Sequence, residues 1–482
     1  MEDNKLYQKL NLATGHSRRH LGKSPWPILI IFIIIAIVIA YASFSSSDTP
    51  TATSTPSQAS LQTTANESIE AEPSVDESSV GESESTIAQT AQEILETASL
   101  LAASYDYDAA IELIASSDPI IASSSQATEA IAQYESIKST LVRQNLSEIT
   151  HVFFHTLIID TSKAFDGDYR ESGYNQVMTT KDEFVAILNE MYERGFVLVG
   201  LHDMAEEVTD PETGETKMTA KDIYLPPDKK AFVMSQDDVC YYEYMEGDGF
   251  ARNLVIGEDG RVTCEYVQDD GSVVQGDYDL IPILNKFIDE HPDFSYRGAK
   301  AVIAVTGYNG VFGYRTAPDY EESNPNIEAD RQTVRQIAQA LRDDGWELAS
   351  HSWGHRNFST DTYEQFVTDS NKWRDQVESL IGETDIILFP FGSDIADWHP
   401  YTEDNEKYSY LLSLGFRYFC NVDSSQYYVQ ITDRSLRQGR RNLDGYRMWR
   451  DITEPENTRL SDLFDANEIF DSSRPTPVPP MS

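Results

Sequence analysis

Residues 346–355 read Trp346-Glu-Leu-Ala-Ser350-His351-Ser-Trp353-Gly-His355. A short run suited to a buried strand passes directly into two histidines four positions apart. If the backbone after the strand turns helically, both imidazoles can reach one point, and neutral imidazole is the commonest side-chain metal ligand. The same pattern recurs on either side. Ala231-Phe-Val-Met-Ser235-Gln236 leads into Asp237-Asp238, and Ile386-Ile-Leu388-Phe389 leads into Pro390-Phe391-Gly392. Apolar runs of this length bounded by polar or turn residues read as buried strands. In each, the residues able to do chemistry fall at the C-terminal end.

Outward from these three strands the chain alternates. Apolar runs at 152–159, 196–199, 299–306 and 416–422 are separated by stretches with helical spacing at 181–194, 280–290, 331–343 and 362–381. The first of those stretches places Phe184, Ile187, Leu188 and Met191 on one face and stops at Gly195. Strand-then-helix repetition predicts a parallel sheet, open or closed into a barrel, with its chemistry at the strand C-termini. One insertion, 241–279, breaks the rhythm with alternating residues (Leu254, Ile256; Val262, Cys264, Tyr266) around two Asp-Gly pairs. Asp-Gly is a hairpin turn signal, so a small β-hairpin arm is expected near the mouth of the site.

Before residue 151 the composition shifts repeatedly. Residues 27–42 are uncharged and almost wholly apolar, and with Trp26 and Phe44 at the edges they approach the ~20 residues a bilayer requires. Lys5, Lys9, Arg18, Arg19 and Lys23 precede this run, and acids dominate after it. The positive-inside rule then predicts a cytoplasmic segment 1–26 and a transmembrane anchor 27–44, with everything beyond facing outward. A cleaved signal peptide is the alternative, but the run exceeds a usual signal core and no Ala-x-Ala site follows closely. Residues 45–85, rich in Ser, Thr and Glu, read as a disordered stalk. Residues 86–145 are Ala-rich with helical spacing and read as a helical spacer, in which the stretch beginning at Tyr105 looks like part of a helical hairpin. The end of the chain, 456–482, closes on alternating prolines and reads as an extended tail.

With Lys+Arg 37 against Asp+Glu 80, the net charge of -43 repels phosphate backbones and excludes a nucleic-acid partner. Cys240, Cys264 and Cys420 are too few and too scattered for a disulfide framework. A Cys240–Cys264 bridge across a hairpin is one option, and three free or buried thiols the simpler one. The six arginines between Arg434 and Arg450 form the one basic cluster, read as pairing with surrounding carboxylates rather than holding an anionic polymer. His202, His291 and His399 have no partners at useful spacing and read as surface or loop residues.

Taken together the motifs resemble those of the NodB-like polysaccharide deacetylases. Asp237-Asp238 is similar to the acid pair of that family's Thr-Phe-Asp-Asp-Gly motif, and His351-Ser-Trp-Gly-His355 matches its His-Ser/Thr-x-x-His motif in full. Leu388-Phe-Pro-Phe-Gly392 approaches Arg-x-Pro-Tyr-Gly, and Asn421-Val-Asp423-Ser424 resembles the start of Asp-Ser-x-Asp-Trp. No Leu-x-His motif is visible near the C-terminus; instead the domain opens with Val152-Phe-Phe-His155-Thr. That opening looks like the branch with rearranged motif order that includes biofilm poly-N-acetylglucosamine deacetylases. The resemblance covers roughly 151–455 and implies a distorted (β/α) barrel of the NodB-homology type. It implies a divalent metal, zinc by preference, on Asp238, His351 and His355. Asp237 would be the general base, His155 the general acid and Asp423 its orienting partner. Pro390, Phe391 and Trp353 would meet an N-acetylglucosamine-containing surface polysaccharide. Gln236, Val239 and Leu388 depart from the motifs, Leu388 standing where an arginine would hold the base. A catalytically silent carbohydrate-binding or scaffold protein and an O-acetyl esterase are the competing readings.

Overall fold

The computed structural model describes residues 77–423 and 427–481. The expected cytoplasmic segment and anchor, most of the stalk, and Ser424 lie outside the described residues. Among the described residues no helix is long and apolar enough to cross a membrane.

Seven parallel strands form a closed barrel: β1 (Thr150–Phe154), β2 (Lys230–Gln236), β3 (Val302–Val305), β4 (Glu347–Ser350), β5 (Ile386–Leu388), β6 (Tyr418–Val422) and β7 (Leu436–Asn442). They neighbour one another in chain order, and β7 returns to β1 with Arg440 opposite His151. Between β2 and β3 the seam is short, with only Ser235 and Gln236 paired to β3. The lower half of β2 is covered instead by the strand Phe196–Leu198. Of the two architectures the alternation allowed, the barrel is the one formed.

Each strand serves two apolar layers, because successive side chains point to opposite faces. Phe154, Met234, Ile303, Leu348, Ile387 and Phe419 point outward into the main core. Ten helices of the described residues are labelled α1 to α10 in chain order, and α5 to α10 contribute to that core. Their bounds are Glu77–Ala103, Tyr107–Ala115, Ser125–Lys138, Glu171–Val177, Lys181–Glu193, Leu280–Glu290, Ile327–Asp343, Tyr363–Trp373, Glu406–Ser413 and Gly445–Thr453, in order. The logic of α5 is typical. Thr180 and Glu183 form a reciprocal capping box, Phe184, Ile187, Leu188 and Met191 bury the inner face, and Gly195 at φ 78° ends the run. A Cβ at Gly195 would stand 2.7 Å from the Asp228 carbonyl, so no other residue fits there without movement.

The inward set, Ala231, Val233, Ala304, Ala349, Leu388, Cys420 and Leu436, forms a second cluster with Ala98, Ala102, Ala110, Ile114 and Ala127 of α1 to α3. The helical spacer is therefore packed across the N-terminal end of the barrel. Tyr105 fixes it by donating its hydroxyl to the Asp293 carbonyl at 2.7 Å.

Three expectations change. Helix α1 begins at Glu77, inside the stretch that reads as stalk, because the Ser- and Glu-rich run, proline-free and interrupted only by Gly81, continues into an Ala-rich helical face. The insertion is a three-stranded meander (Asn253–Ile256, Val262–Val267, Val273–Gly276) rather than a single hairpin. Both Asp-Gly pairs do form its turns, but Leu254, Val262 and Cys264 bury it into the core against α6 and α7. The C-terminal segment is not a free tail. Leu460, Leu463, Phe464 and Ile469 enter the main core, and Arg474 forms a buried ion pair with Glu183 of α5. All three cysteines are free and buried.

Candidate metal centre

Asp237 and Asp238 extend β2 past its last paired residue. On a straight strand the second carboxylate would face away from the first. Asp238 instead adopts φ 60°, and so turns its carboxylate back over the barrel mouth. The same device appears three more times around the mouth: Ser352 at 58°, His355 at 47° and Phe391 at 57°. Each such residue costs on the order of 1–2 kcal/mol, a strain that typically marks functional sites.

These turns bring three expected ligands together. Ligand atoms of Asp238, His351 and His355 all lie within 4.8 Å of one another. His355 Nε2 is 3.6 Å from Asp238 Oδ2, and His351 Nε2 is 3.8 Å from Asp238 Oδ1. Neighbours fix each ligand. His351 donates Nδ1–H to the Leu388 carbonyl at 2.7 Å, which leaves Nε2 with its lone pair toward the centre. Tyr242 donates its hydroxyl to Asp238 Oδ1 at 2.6 Å. Asp369, buried on α8, accepts the Trp353 and Gly354 N–H groups at 2.8 Å each and so holds the turn between the two histidines.

The electrostatics suit a cation. Burial lowers His351 to about 4, against the partial opposition of Asp237 and Asp238, so the ring is neutral at physiological pH. Burial would raise Asp238, but His355 and His351 outweigh it and hold the carboxyl below its ordinary value. One ionised oxygen and two imidazoles are the donor set of an open zinc-type site, whose ligand atoms sit about 3.4 Å apart at bond lengths near 2.1 Å. The three donor atoms lie within 4.8 Å of one another, close enough for side-chain adjustment to bring them onto one ion. The residues present fit a divalent metal.

Asp237, one residue before, is held differently. Arg440 of β7, fully buried, donates to Oδ1 at 2.6 Å and Oδ2 at 2.9 Å. Burial alone would raise the Asp237 carboxyl, but the Arg440 charge and then His351 drive it well below the carboxylate range. Arg440 is the residue of this cluster that the motifs do not contain. From another strand it makes the bidentate contact to Asp237 that the apolar Leu388 cannot make. The signal was its place in β7, where Leu436, Gln438 and Arg440 alternate toward the lumen.

His155 follows β1 and is electrostatically coupled to both aspartates. Its Nδ1–H donates to the Val177 carbonyl at 3.0 Å, so the group seen orienting it is main chain at the end of α4. Asp423 lies just past β6, where its N–H donates to the Arg440 carbonyl and its Cβ fills the space beside Gly439. Gln236, which departs from the motif, donates to Asp279 at 2.8 Å, and Asp279 in turn accepts the Leu157 N–H. That pair braces the loop carrying His155.

Of the three expected substrate contacts, Pro390 is buried, while Phe391 is 68 % exposed with its ring 4.5 Å from that of His355. Trp353 is engaged elsewhere. Its indole N–H donates to Gln376, and the Lys372 ammonium sits 4.0 Å over the ring. His202 is not a simple surface residue but lies between Glu347 and Asp385. Asp394, in the loop after β5, pairs with buried Arg437.

Residues 297–417 match the family model described as polysaccharide deacetylase. The matched segment holds β3, β4, the His351–His355 turn and β5, so this part of the chain is similar to a polysaccharide deacetylase domain, the mark of an enzyme. Among solved structures, the deacetylase PplD of Streptococcus pyogenes in complex with acetate is 14% identical, covering 63% of this chain and 93% of that one, with a TM-score of 0.32. A Bacillus anthracis protein, BA0330, described as a polysaccharide deacetylase, is 9% identical over 69% of this chain and 70% of its own, also at 0.32. No curated protein sequence matches the chain.

Proposed function

We propose that this deacetylase is metal-dependent, with zinc as the metal, and removes N-acetyl groups from an N-acetylglucosamine-containing polysaccharide at the cell surface. One observation carries the reading: a three-donor cluster of Asp238, His351 and His355 stands beside a separately paired carboxylate, Asp237, and a histidine, His155. When bound, a divalent metal supplies Lewis acidity toward the acetyl carbonyl and acidifies water at its open position.

The chain's own residues do the rest. The Arg440 fork keeps Asp237 ionised and leaves each oxygen a free lone pair, so Asp237 takes a proton as water adds to the acetyl carbon. The main-chain N–H of Phe391 is proposed to donate to the carbonyl oxygen as charge collects there. As the C–N bond breaks, its electron pair stays on nitrogen, which takes a proton from His155. The products are acetate and a free amine. Asp423 is proposed to stabilise the charged His155 from the β6 end, and exposed Phe391 to pack on the sugar ring.

Metal content and acetate release by the purified full chain on N-acetylglucosamine oligomers test this, with His351→Ala and Asp237→Asn alongside. Near-stoichiometric zinc is expected. Acetate should fall by about 10²-fold or more in Asp237→Asn with metal retained, and His351→Ala should lose both. Release from acetyl esters alone would shift the substrate to O-acetyl groups, and metal without any turnover would leave a silent binding protein. Residues 27–44 are proposed as a membrane anchor with the domain outside. Protease added to intact cells should then remove the domain, and full protection would sink that placement.

A further inference from the structure

The end of the chain reaches the site by a route the motifs do not cover. Arg474 is buried within a ring of acceptors. It donates through Nε and Nη2 to the two oxygens of Glu183 at 2.6 Å each, through Nη2 to the Met178 carbonyl at 2.7 Å, and through Nη1 to the Asn175 carbonyl and side-chain oxygen at 3.1 Å each. Asn175 closes the ring by donating to the Pro475 carbonyl at 2.7 Å, and Gln176 donates to the Pro479 and Pro480 carbonyls at 3.0 and 2.8 Å. Every residue from Asn175 to Met178 except Val177 is thus tied by side chain or main chain to this C-terminal strap. Val177 is the residue whose carbonyl accepts the Nδ1–H of His155.

We infer that Arg474 is a positioning residue for His155: it fixes the 175–178 main chain so that the Val177 carbonyl holds the imidazole with Nε2 toward the leaving nitrogen. The inference rests on His155 being the acid of the proposed reaction. The guanidinium fork suits the task, since it bonds a carboxylate and two carbonyls of one turn at the same time, which an ammonium cannot do in one geometry. Glu183 anchors the fork because it is also the capping residue of α5, and it accepts the Asp471 N–H as well. The strap therefore ties α4, α5 and the chain terminus into one unit behind the imidazole.

The consequence is selective. An amine leaving group must be protonated as the C–N bond breaks, whereas an aryl oxide departs without a proton. Misplacing His155 should slow amide cleavage and spare aryl acetates. The experiment measures kcat on an N-acetylglucosamine oligomer and on 4-nitrophenyl acetate for the full-length metal-loaded enzyme and three variants. His155→Asn should lose the amide reaction and keep the ester; if it keeps both, the acid assignment fails and the proposed mechanism with it. Given that control, Arg474→Gln should lower amide turnover about 10-fold or more, the scale of a small misplacement, with ester turnover within about twofold. Arg474→Lys retains a cation opposite Glu183 but not the fork, so its amide-to-ester ratio should also be low. That variant decides the matter should Arg474→Gln fail to fold. An unchanged ratio in Arg474→Lys, or equal loss of both reactions, would overturn the inference and leave Arg474 a structural residue only.

Discussion

The two ends of β4 and β5 carry the same residue types and do opposite things. At the C-terminal end, His351 faces Asp237 and Asp238 at 3.9 and 3.8 Å. At the N-terminal end, His202 faces Glu347, the first residue of β4, and Asp385, just before β5, at 2.6 and 2.9 Å. One ångström separates a contact from a gap. Below, both nitrogens make charge-assisted hydrogen bonds, and although burial opposes the charge, Glu347 and Asp385 raise the imidazole to about 10. Above, no direct hydrogen bond to a carboxylate forms, burial wins, and His351 falls to about 4. The lower histidine is a closed ion pair with no lone pair to offer. The upper one keeps a lone pair at Nε2, and the gap it faces is the right size for a cation. A histidine between two carboxylates is thus a site or a strut according to whether something holds the three apart.

Arg440 does the holding, and removing it should break the contrast most severely. Arg440→Gln leaves Asp237, 3% exposed, without its partner. Stripping one member from a buried ion pair costs about 3–5 kcal/mol. Chemical denaturation should register that loss, and metal content should fall as the freed carboxylate moves toward His351. A variant with wild-type stability and full metal content would mean that Arg440 is not what keeps the upper cluster open.

A smaller perturbation sharpens the comparison without touching a ligand. Asp369 is lifted to about 6 by burial, the Trp353 and Gly354 N–H groups resisting, so it is mostly ionised at neutral pH. Asn offers one carbonyl oxygen where the carboxylate offers two acceptors. Asp369→Asn should loosen the His351–His355 turn and weaken metal binding by about 10–100-fold, the usual cost of losing an outer-shell partner. Competition with a chelator reads this directly, and unchanged affinity would show that the backbone turn stands without Asp369.

The upper site was legible in the sequence because its parts are local. Asp237-Asp238 and His351 to His355 each end a recognisable strand, and parallel strands in chain order place their ends together. The kink that the paired aspartates required is present at Asp238. Arg440 was hidden because Leu436–Asn442 reads as a basic cluster, and a strand with buried cations on both faces has no apolar period. The carboxylates that pair with this strand, Asp237 with Arg440, Asp394 with Arg437 and Asp462 with Arg441, come from three separate segments, so only the closed barrel reveals them. The C-terminal strap escaped for the same reason: a proline-rich run has no periodicity, and Glu183 lies 291 residues away from Arg474. His202 reads as a surface or loop residue in the sequence because neither Glu347 nor Asp385 is near it along the chain.

That lower cluster gives the smallest effect and the cleanest contrast. His202 is raised in the folded chain to about 10, against about 6.5 unfolded, so folding favours its protonated form. The stabilisation is fully present below pH 6.5 and declines as the pH rises through 10. Because the side chain is 45% exposed, solvent screens the pair, and His202→Ala should cost only about 1 kcal/mol at neutral pH. Thermal unfolding near pH 7 should show a drop of roughly 2 °C for a chain of this size, and the difference from wild type should close above pH 10. Acetate release per folded molecule should not change. If His202→Ala instead lowered turnover or metal content, the two ends of β4 would be coupled through the strand. The lower cluster would then be part of the site rather than its counterexample.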